Sequence, residues 1–259
     1  MPLFPKILPS PITFGLLLGL LSFSSASAET LRLRADLWMP YNGDPASEHP
    51  GFVVELAKAI FEPQGIKVDY QTMPWADALV AARAGKIDGV IGAGSTETEG
   101  LTVPKESIGE PRVVLLVRKD ATWQFENISS LKDKRLGAIE GYTYWDSLDE
   151  YIKASKAPKV VTFTGETPFA DALTQLKEGK IDAMPETMAV FVWTTKGMGL
   201  SPSDFRIIHT HQNEPIYLAF SSADVGVKFA KLFDEGVQKL RVSGEFGKLL
   251  KAYGMSDWK

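Results

Sequence analysis

The chain has 259 residues, with 28 lysines and arginines, 32 aspartates and glutamates, a net charge of −4 and no cysteine. Without cysteine there can be no disulfide bond, no thiol nucleophile and no lipid-modified cysteine anchor. No run of basic residues alternates with aromatic residues, so nucleic acid is not an expected partner.

The first 28 residues are predicted to be a cleavable secretory signal peptide. Lys6 supplies a positive charge, residues 12–21 form an apolar run, and Ala-Ser-Ala at 26–28 is a small-residue cleavage site. The apolar run is short for a membrane span, and an uncleaved N-terminal anchor is the competing interpretation. Cleavage would leave 259 less 28, or 231 residues, enough for two modest lobes of a soluble periplasmic protein.

Short strands and helices alternate along the next part of the chain. Strands are predicted at 31–35, 66–70 and 87–92, and a strongly apolar strand at 113–117. A loop at 38–45, rich in aromatic and turn-forming residues, separates the first strand from a helix at 51–61. This alternation predicts an α/β fold.

A similar order of elements follows in the second half. Strands are predicted at 135–139 and 160–163, separated by a helix that runs from about Thr143 to Lys153. Thr143 and Asp146, three residues apart, resemble a capping box at the start of that helix. Strands at 207–208 and 216–220 and helices at 225–242 and 243–254 complete the prediction.

One sequence pattern occurs twice. Pro-Trp-Ala-Asp-Ala-Leu at 74–79 and Gly-Lys-Ile-Asp at 85–88 return as Pro-Phe-Ala-Asp-Ala-Leu at 168–173 and Gly-Lys-Ile-Asp at 179–182. Each copy predicts a helix that starts at proline and ends at a left-handed glycine, followed by a strand. Two such units predict two similar lobes. Because no flexible linker separates them, strands are expected to form a hinge, with the ligand in the cleft between the lobes.

These features resemble the periplasmic solute-binding proteins of family 3, which commonly serve polar amino-acid ABC transporters. The resemblance rests on Trp-Met-Pro-Tyr at 38–41, Gly-Phe-Val-Val-Glu-Leu at 51–56, both Gly-Lys-Ile-Asp segments and Glu-Gly-Tyr-Thr at 140–143. It implies a two-lobe periplasmic-binding-protein fold of type II, with hinge and interlobe cleft. Lobe 1 would comprise residues 29–112 and 216–259, and lobe 2 the inserted residues 113–215.

The resemblance also implies a monomer without a cofactor or metal, which binds a small molecule and partners the membrane permease of an ABC transporter. The implied ligand-binding residues are Trp38, Tyr41, Trp75, Ser95, Thr96 and Glu99 in lobe 1, and Gly141, Tyr142, Thr143 and Glu186 in lobe 2. Independently of the family, the predicted helix start near Thr143 would favour an anion through its free amides and helix dipole. An ordinary N-cap is the alternative role for Thr143.

Two segments depart from the amino-acid-binding pattern of the family. An arginine that holds the ligand carboxylate is expected after the first repeat copy, but no arginine occurs between Arg83 and Arg112. The family aspartate that receives the ligand amino group would fall near Thr187, and the nearest acid is Glu186. A standard acidic amino acid is therefore not the expected ligand, since an arginine fork is the natural partner of a carboxylate.

The acidic side chains in these segments allow two interpretations. Glu97, Glu99 and Glu186 can form an acidic site for a cationic or polyol-like ligand, or Glu97 and Glu99 can be solvated loop charges. The aromatic residues likewise either stack on a ligand or pack the lobe cores. For Trp75, on a buried helical face, core packing is the stronger alternative.

Other functional classes have weaker support in the sequence. His209 and His211 would lie on one side of a strand, but a metal site needs further ligands. A few proteins similar to this family are cyclohexadienyl dehydratases, which use a cleft carboxylic acid as proton donor; the missing arginine disfavours their dianionic substrates. A sensor or accessory binding subunit is a third alternative.

Overall fold

The computed structural model describes residue 1 and residues 29–155, 157–212 and 215–259. Apart from Met1, the predicted signal peptide lies outside the described residues. Within those ranges, no helix has the length and apolar character needed to cross a membrane.

Strands and helices alternate, and the predicted α/β class is confirmed. The strands are β1 (Glu29–Ala35), β2 (Ile66–Thr72), β3 (Gly89–Ala93), β4 (Leu101–Thr102), β5 (Arg112–Arg118), β6 (Leu136–Ile139), β7 (Val160–Phe163), β8 (Met184–Thr187), β9 (Phe205–Gln212) and β10 (Tyr217–Ser221). The helices are α1 (Phe52–Phe61), α2 (Trp75–Arg83), α3 (Asp146–Ala154), α4 (Pro168–Lys177), α5 (Met188–Gly197), α6 (Asp224–Ser243) and α7 (Glu245–Ala252).

The strands form two separate layers. A five-stranded sheet has the order β2-β1-β3-β10-β4, in which β1 is parallel to β2 and β3 while β10 is antiparallel to β3. A three-stranded sheet has the order β8-β5-β9, and β6 and β7 pair beside it, with a bridge from Leu136 to Ala183. The alternation in β1 buries Leu31, Leu33 and Ala35, as the sequence pattern predicts.

The chain passes between the two layers twice, through adjacent segments. Gly109 and Ile216 pair in antiparallel fashion, with the Ile216 amide donating to the Gly109 carbonyl at 2.9 Å. Two neighbouring extended strands suit a hinge, because a small change in their dihedral angles moves one layer relative to the other. We propose that the lobes divide at these crossings, at the boundaries given above.

Both copies of the repeat build the same local structure, as predicted. Gly85 and Gly179 adopt left-handed φ values of 68° and 71° at the ends of α2 and α4. The aspartate that ends each copy then accepts from an arginine: Arg32 Nη2 lies 2.8 Å from Asp88, and Arg135 Nη2 lies 2.9 Å from Asp182. In both copies the arginine Nε and backbone amide also donate to the same carboxylate. The repeated aspartate is thus a scaffold residue.

Two local predictions differ from the structure. Helix α3 begins at Asp146 and its N-cap is Trp145, so the capping box proposed for Thr143 is wrong. Helix α5 was not predicted at all. Its sequence mixes β-branched, aromatic and small residues without a clear apolar face, and Val192 and Trp193 are exposed in the structure. Packing against β5 and β8 holds this helix in place.

Candidate functional site

A cavity of about 600 Å³ lies between the two layers and takes its walls from both. Small-molecule sites typically enclose roughly 300–1,000 Å³. Five acidic side chains line it, Asp36, Glu97, Asp146, Asp149 and Glu186, together with five large aromatic ones, Trp38, Trp75, Tyr142, Tyr144 and Trp145. Among the described residues, no lysine or arginine lines the cavity. The enclosed surface is therefore acidic and aromatic.

Glu97 is held on both carboxylate oxygens by its own lobe. The turn after β3 folds back on itself, and Oε2 accepts from the Gly94 amide at 2.9 Å while Oε1 accepts from the Trp75 indole at 2.9 Å. Arg83 supports the turn from outside the cavity, donating to the backbone carbonyls of Glu97 and Glu99. Burial raises the pKa of Glu97, against the lowering effect of the Gly94 amide, the Trp75 indole and the Thr143 hydroxyl.

Glu186 is buried in strand β8 and only part of its carboxylate has a partner. Its Oε1 accepts from the Thr187 amide at 2.6 Å and from the indole of Trp38, across the cleft, at 3.2 Å. Its Oε2 and the neighbouring Thr187 Oγ1 are buried without a hydrogen-bond partner among the described residues. Burial raises the pKa of Glu186 to about 7, although the Thr187 amide and the Trp38 indole oppose the shift.

Asp36 follows strand β1 and forms the second polar contact across the cleft. The Tyr142 hydroxyl donates to Asp36 Oδ2 at 2.6 Å. Burial raises the pKa of Asp36 to about 7, and the hydrogen bond from Tyr142 lowers it in part.

The contacts between the two sides describe a closed cleft. The Tyr142–Asp36 and Trp38–Glu186 hydrogen bonds join opposite walls. Gly141 also packs closely on helix α2, because a Cβ added at Gly141 would come within 3.0 Å of the Ala76 Cβ. Polar groups of the cavity therefore also hold the walls together.

The start of helix α3 carries two acids, and one of them pairs with a backbone amide that precedes the helix. Both carboxylate oxygens of Asp149 lie within 3.1 Å of the Tyr144 amide. Asp146 occupies the same turn, and the pKa of Asp149 is raised to about 6, by burial first and by Asp146 in addition. Two acids at the helix start complement its dipole and disfavour an anion there, and the anion site suggested by the sequence stays a prediction.

Seven of the ten sequence-predicted ligand-binding residues line the cavity, and their role in binding stays a prediction. They are Trp38, Trp75, Ser95, Thr96, Tyr142, Thr143 and Glu186. Trp75 also packs in the core, as the alternative interpretation expected, and is 6% exposed.

The other three do not line the cavity. Tyr41 is buried behind Trp38, with ring centroids 4.3 Å apart in a stacked arrangement, so it supports the wall. Glu99 is exposed on the outside of its loop, where the solvated-charge interpretation placed it. Gly141 serves the contact with Ala76 instead.

Three acids of the cavity, Asp36, Asp146 and Asp149, are not predicted as site residues by the sequence, which places Asp146 only in a capping box. Asp36 follows the buried alternation of β1, at the carboxyl end of a strand, and that position was the available signal. Asp149 lies on the polar side of an amphipathic helix, which gave no signal. Glu97 is a candidate site acid in the sequence, but nothing in the sequence distinguishes it from Glu99.

The two histidines lie beside the cavity and contact one tryptophan. His211 lines the cavity and stacks on Trp145 with centroids 5.4 Å apart, and His209 contacts the same ring. Burial, with a smaller effect of His211, lowers the pKa of His209. Within the described ranges, no three histidine, aspartate or glutamate side chains are arranged to hold a metal ion.

Comparison with known sequences identifies one family. The family model described as bacterial extracellular solute-binding proteins, family 3, matches residues 35–256. A probable amino-acid-binding protein of Bacillus subtilis, YxeM, is 24% identical over 216 residues, covering 80% of this chain and 76% of the relative. A probable histidine-binding protein of Neisseria gonorrhoeae is 24% identical over 213 residues, covering 78% and 74%.

Solved structures show the same fold. A putative L-cystine ABC transporter protein from Listeria monocytogenes superposes with a TM-score of 0.73 at 20% identity, covering 88% of this chain and 98% of that one. The predicted two-lobe periplasmic-binding-protein fold is thus confirmed, while identity at this level says nothing about the ligand.

Proposed function

The chain belongs to the bacterial extracellular solute-binding proteins of family 3, and from that premise we propose that it captures a small polar solute between its lobes for the permease of an ABC importer. The observation that carries the proposal is the enclosed cavity whose polar groups also bridge the cleft, through Tyr142–Asp36 and Trp38–Glu186. A ligand bound there contacts both lobes and favours their closed arrangement. Export through the signal peptide at 1–28, and action as a monomer, are parts of the same proposal.

Acidic amino acids are not the proposed ligands. A carboxylate would enter a cavity with five acids and, among the described lining residues, no lysine or arginine. The nearby Arg83 is committed to the carbonyls of Glu97 and Glu99. Like charges in a partly dehydrated site repel strongly because screening by water is reduced.

A ligand screen tests the binding function. Protein exported from the full-length chain would be screened by thermal unfolding against amino acids, amines, organic acids and sugars. A solute at about 100 times its Kd adds about 2.7 kcal/mol, which for a chain of this size raises Tm by roughly 5–10 °C. The solute should be recovered unchanged, and glutamate and aspartate should give no shift.

Transport is tested separately. Cells that lack the protein should take up the identified solute more slowly than cells that carry it, and restoring the gene should restore uptake. Unchanged uptake would contradict the importer role but leave binding intact. A clear shift with glutamate would contradict the argument from charge.

The lyase alternative is supported by one observation. Asp36 and Glu186 have pKa values raised to about 7 by burial, which suits a proton donor. A cavity with five acids and, among the described lining residues, no lysine or arginine still disfavours a dianionic cyclohexadienyl substrate. Product formation from such a substrate, lost in Glu186→Gln, would replace the binding proposal with an enzymatic one.

A further inference from the structure

The hydrogen-bond donors around the cavity are largely directed at its own acids. The indole of Trp75 and the Gly94 amide donate to Glu97, and the Tyr142 hydroxyl donates to Asp36. On the other wall, the Trp38 indole and the Thr187 amide donate to Glu186. A ligand that enters this cavity therefore meets carboxylate acceptors on both walls, beside hydroxyl groups such as that of Thr187.

One carboxylate oxygen of the cavity is buried and has no hydrogen-bond partner among the described residues. Glu186 is 2% exposed, it lines the cavity, and its Oε2 makes no hydrogen bond within the described residues. A buried acceptor without a partner is costly, and a ligand that donates to it recovers that cost on binding. The missing partner is an N–H or O–H group.

The charge of the site selects between those two kinds of donor. Five acids line the cavity, and the one basic side chain among the described lining residues is His211. A cationic N–H donor gains from all the ionised carboxylates, and forms a shorter and stronger bond than a neutral hydroxyl does. Indole and phenol rings on the walls, such as Trp38 and Tyr142, add attraction for a cation through their π faces.

We propose that the ligand is a compact organic cation with N–H donors and no carboxylate, such as an alkyl amine, diamine or guanidinium compound, and that Glu186 Oε2 accepts its N–H. This inference rests on the proposed solute-binding function and names its ligand class. The absence of a carboxylate is part of it, since no lysine or arginine lies among the described lining residues to receive one, and the indoles of Trp38 and Trp75 already donate to carboxylates of the protein.

Matched probe pairs test the ligand class. Agmatine and arginine differ by one carboxylate, as do cadaverine and lysine, and calorimetry would measure the Kd of each at pH 8. We expect at least one decarboxylated probe to bind at least tenfold more tightly than its parent amino acid. Equal or tighter binding of both parents would overturn the inference.

Substitutions test whether Glu186 binds the amine. Glu186→Gln keeps the size of the side chain and should weaken binding of the amine at least a hundredfold, and Asp36→Asn should weaken it at least tenfold. Glu166→Gln, an exposed carboxyl of the second lobe, should leave the Kd unchanged. Circular dichroism would verify that each variant is folded. Full affinity in folded Glu186→Gln would contradict the assignment.

The outcomes separate the two proposals. If none of the amines binds and a neutral or anionic solute does, the proposed cationic ligand class is wrong and the solute-binding function stands. If no compound of the screen binds, both are wrong.

Discussion

Glu97 and Glu186 each follow one copy of the repeat and line the same cavity, but they differ in how their carboxylates are paired. Both oxygens of Glu97 are held within its own lobe, by Trp75 and Gly94. Glu186 is held through one oxygen, partly by Trp38 across the cleft, and its other oxygen has no partner within the described residues. A buried acid with both oxygens paired stabilises its loop, whereas a buried oxygen without a partner calls for an explanation, which the proposed cationic ligand supplies.

The repeat itself shows what the two lobes share. Asp88 and Asp182 make the same three contacts to Arg32 and Arg135, yet the Asp88 side chain is 8% exposed and that of Asp182 is 30% exposed. The same motif should therefore contribute more to stability in the first lobe, because an ion pair is less screened where it is less exposed.

The largest expected effect of a single substitution tests whether the Asp88–Arg32 pair contributes more to stability than the Asp182–Arg135 pair. Asp88→Ala should reduce the free energy of unfolding by about 3 kcal/mol, since it leaves the Arg32 amide, Nε and Nη2 without their carboxylate partner. Asp182→Ala should reduce the free energy of unfolding by only about 1–2 kcal/mol, because water screens this more exposed ion pair. Urea unfolding of both variants measures the difference. Equal losses would show that exposure does not distinguish the two pairs.

The next effect separates stability from affinity at the two glutamates. Glu97→Gln replaces one of two acceptor oxygens by an NH₂ group that faces a donor, and should cost about 1–2 kcal/mol of stability. Glu186→Gln can keep its carbonyl on the Thr187 amide, so the free protein should remain as stable, while amine binding weakens by about 2.8 kcal/mol, a hundredfold.

Urea unfolding and calorimetry on both variants check this pair. A large loss of stability in Glu186→Gln with affinity retained would reverse the two roles.

A pH effect follows from the raised pKa values of Asp36 and Glu186, both about 7. Between about pH 4 and pH 7 the unfolded chain loses these protons while the folded protein retains them, so the stability they contribute falls as pH rises and is lost above about 7. Tyr142, Trp38 and the Thr187 amide face these carboxyls and oppose the shift only in part.

The pH effect is measured as a difference, which cancels groups such as His209. The free energy of unfolding of the wild type, relative to the double variant D36N/E186Q, should fall by on the order of 5 kcal/mol between pH 5 and pH 8. If the free energies of unfolding of the wild type and the double variant changed in parallel with pH, the raised pKa values of Asp36 and Glu186 would be contradicted. Agmatine should restore stability mainly at pH 8, where the carboxylates are ionised.

The smallest expected effect concerns closure. Tyr142→Phe removes the hydroxyl that donates to Asp36 across the cleft and should weaken ligand binding by about 1 kcal/mol, roughly fivefold. Tyr151→Phe removes a hydroxyl that donates to Leu131 within the second lobe, and should leave the Kd unchanged. Equal effects of the two variants would mean that the cross-cleft bond does not assist binding.

Local patterns predicted much of the scaffold. The repeat, the left-handed Gly85 and Gly179 and the long closing helix α6 are encoded over short stretches, where apolar period and turn chemistry suffice. Helix α5 was not predicted, because its apolar periodicity is weak and its position depends on packing against β5 and β8.

The site was predictable only in part, since its geometry depends on distant contacts. Glu97 and Glu99 are alike in sequence, and only the fold of their turn buries one and exposes the other. Tyr41 and Trp38 share one loop, but stacking places Tyr41 behind the wall. Asp36 belongs to the site because Tyr142, 106 positions away, reaches it.

A crystal structure of the protein with agmatine tests the central claim most directly. We expect the cation inside the interlobe cavity, with one of its nitrogens about 2.7–3.2 Å from Glu186 Oε2 and the hydrogen bonds of Glu97 to Trp75 and Gly94 intact. A ligand bound outside the cavity, or one held by Glu97 with Glu186 Oε2 still unpaired, would contradict it.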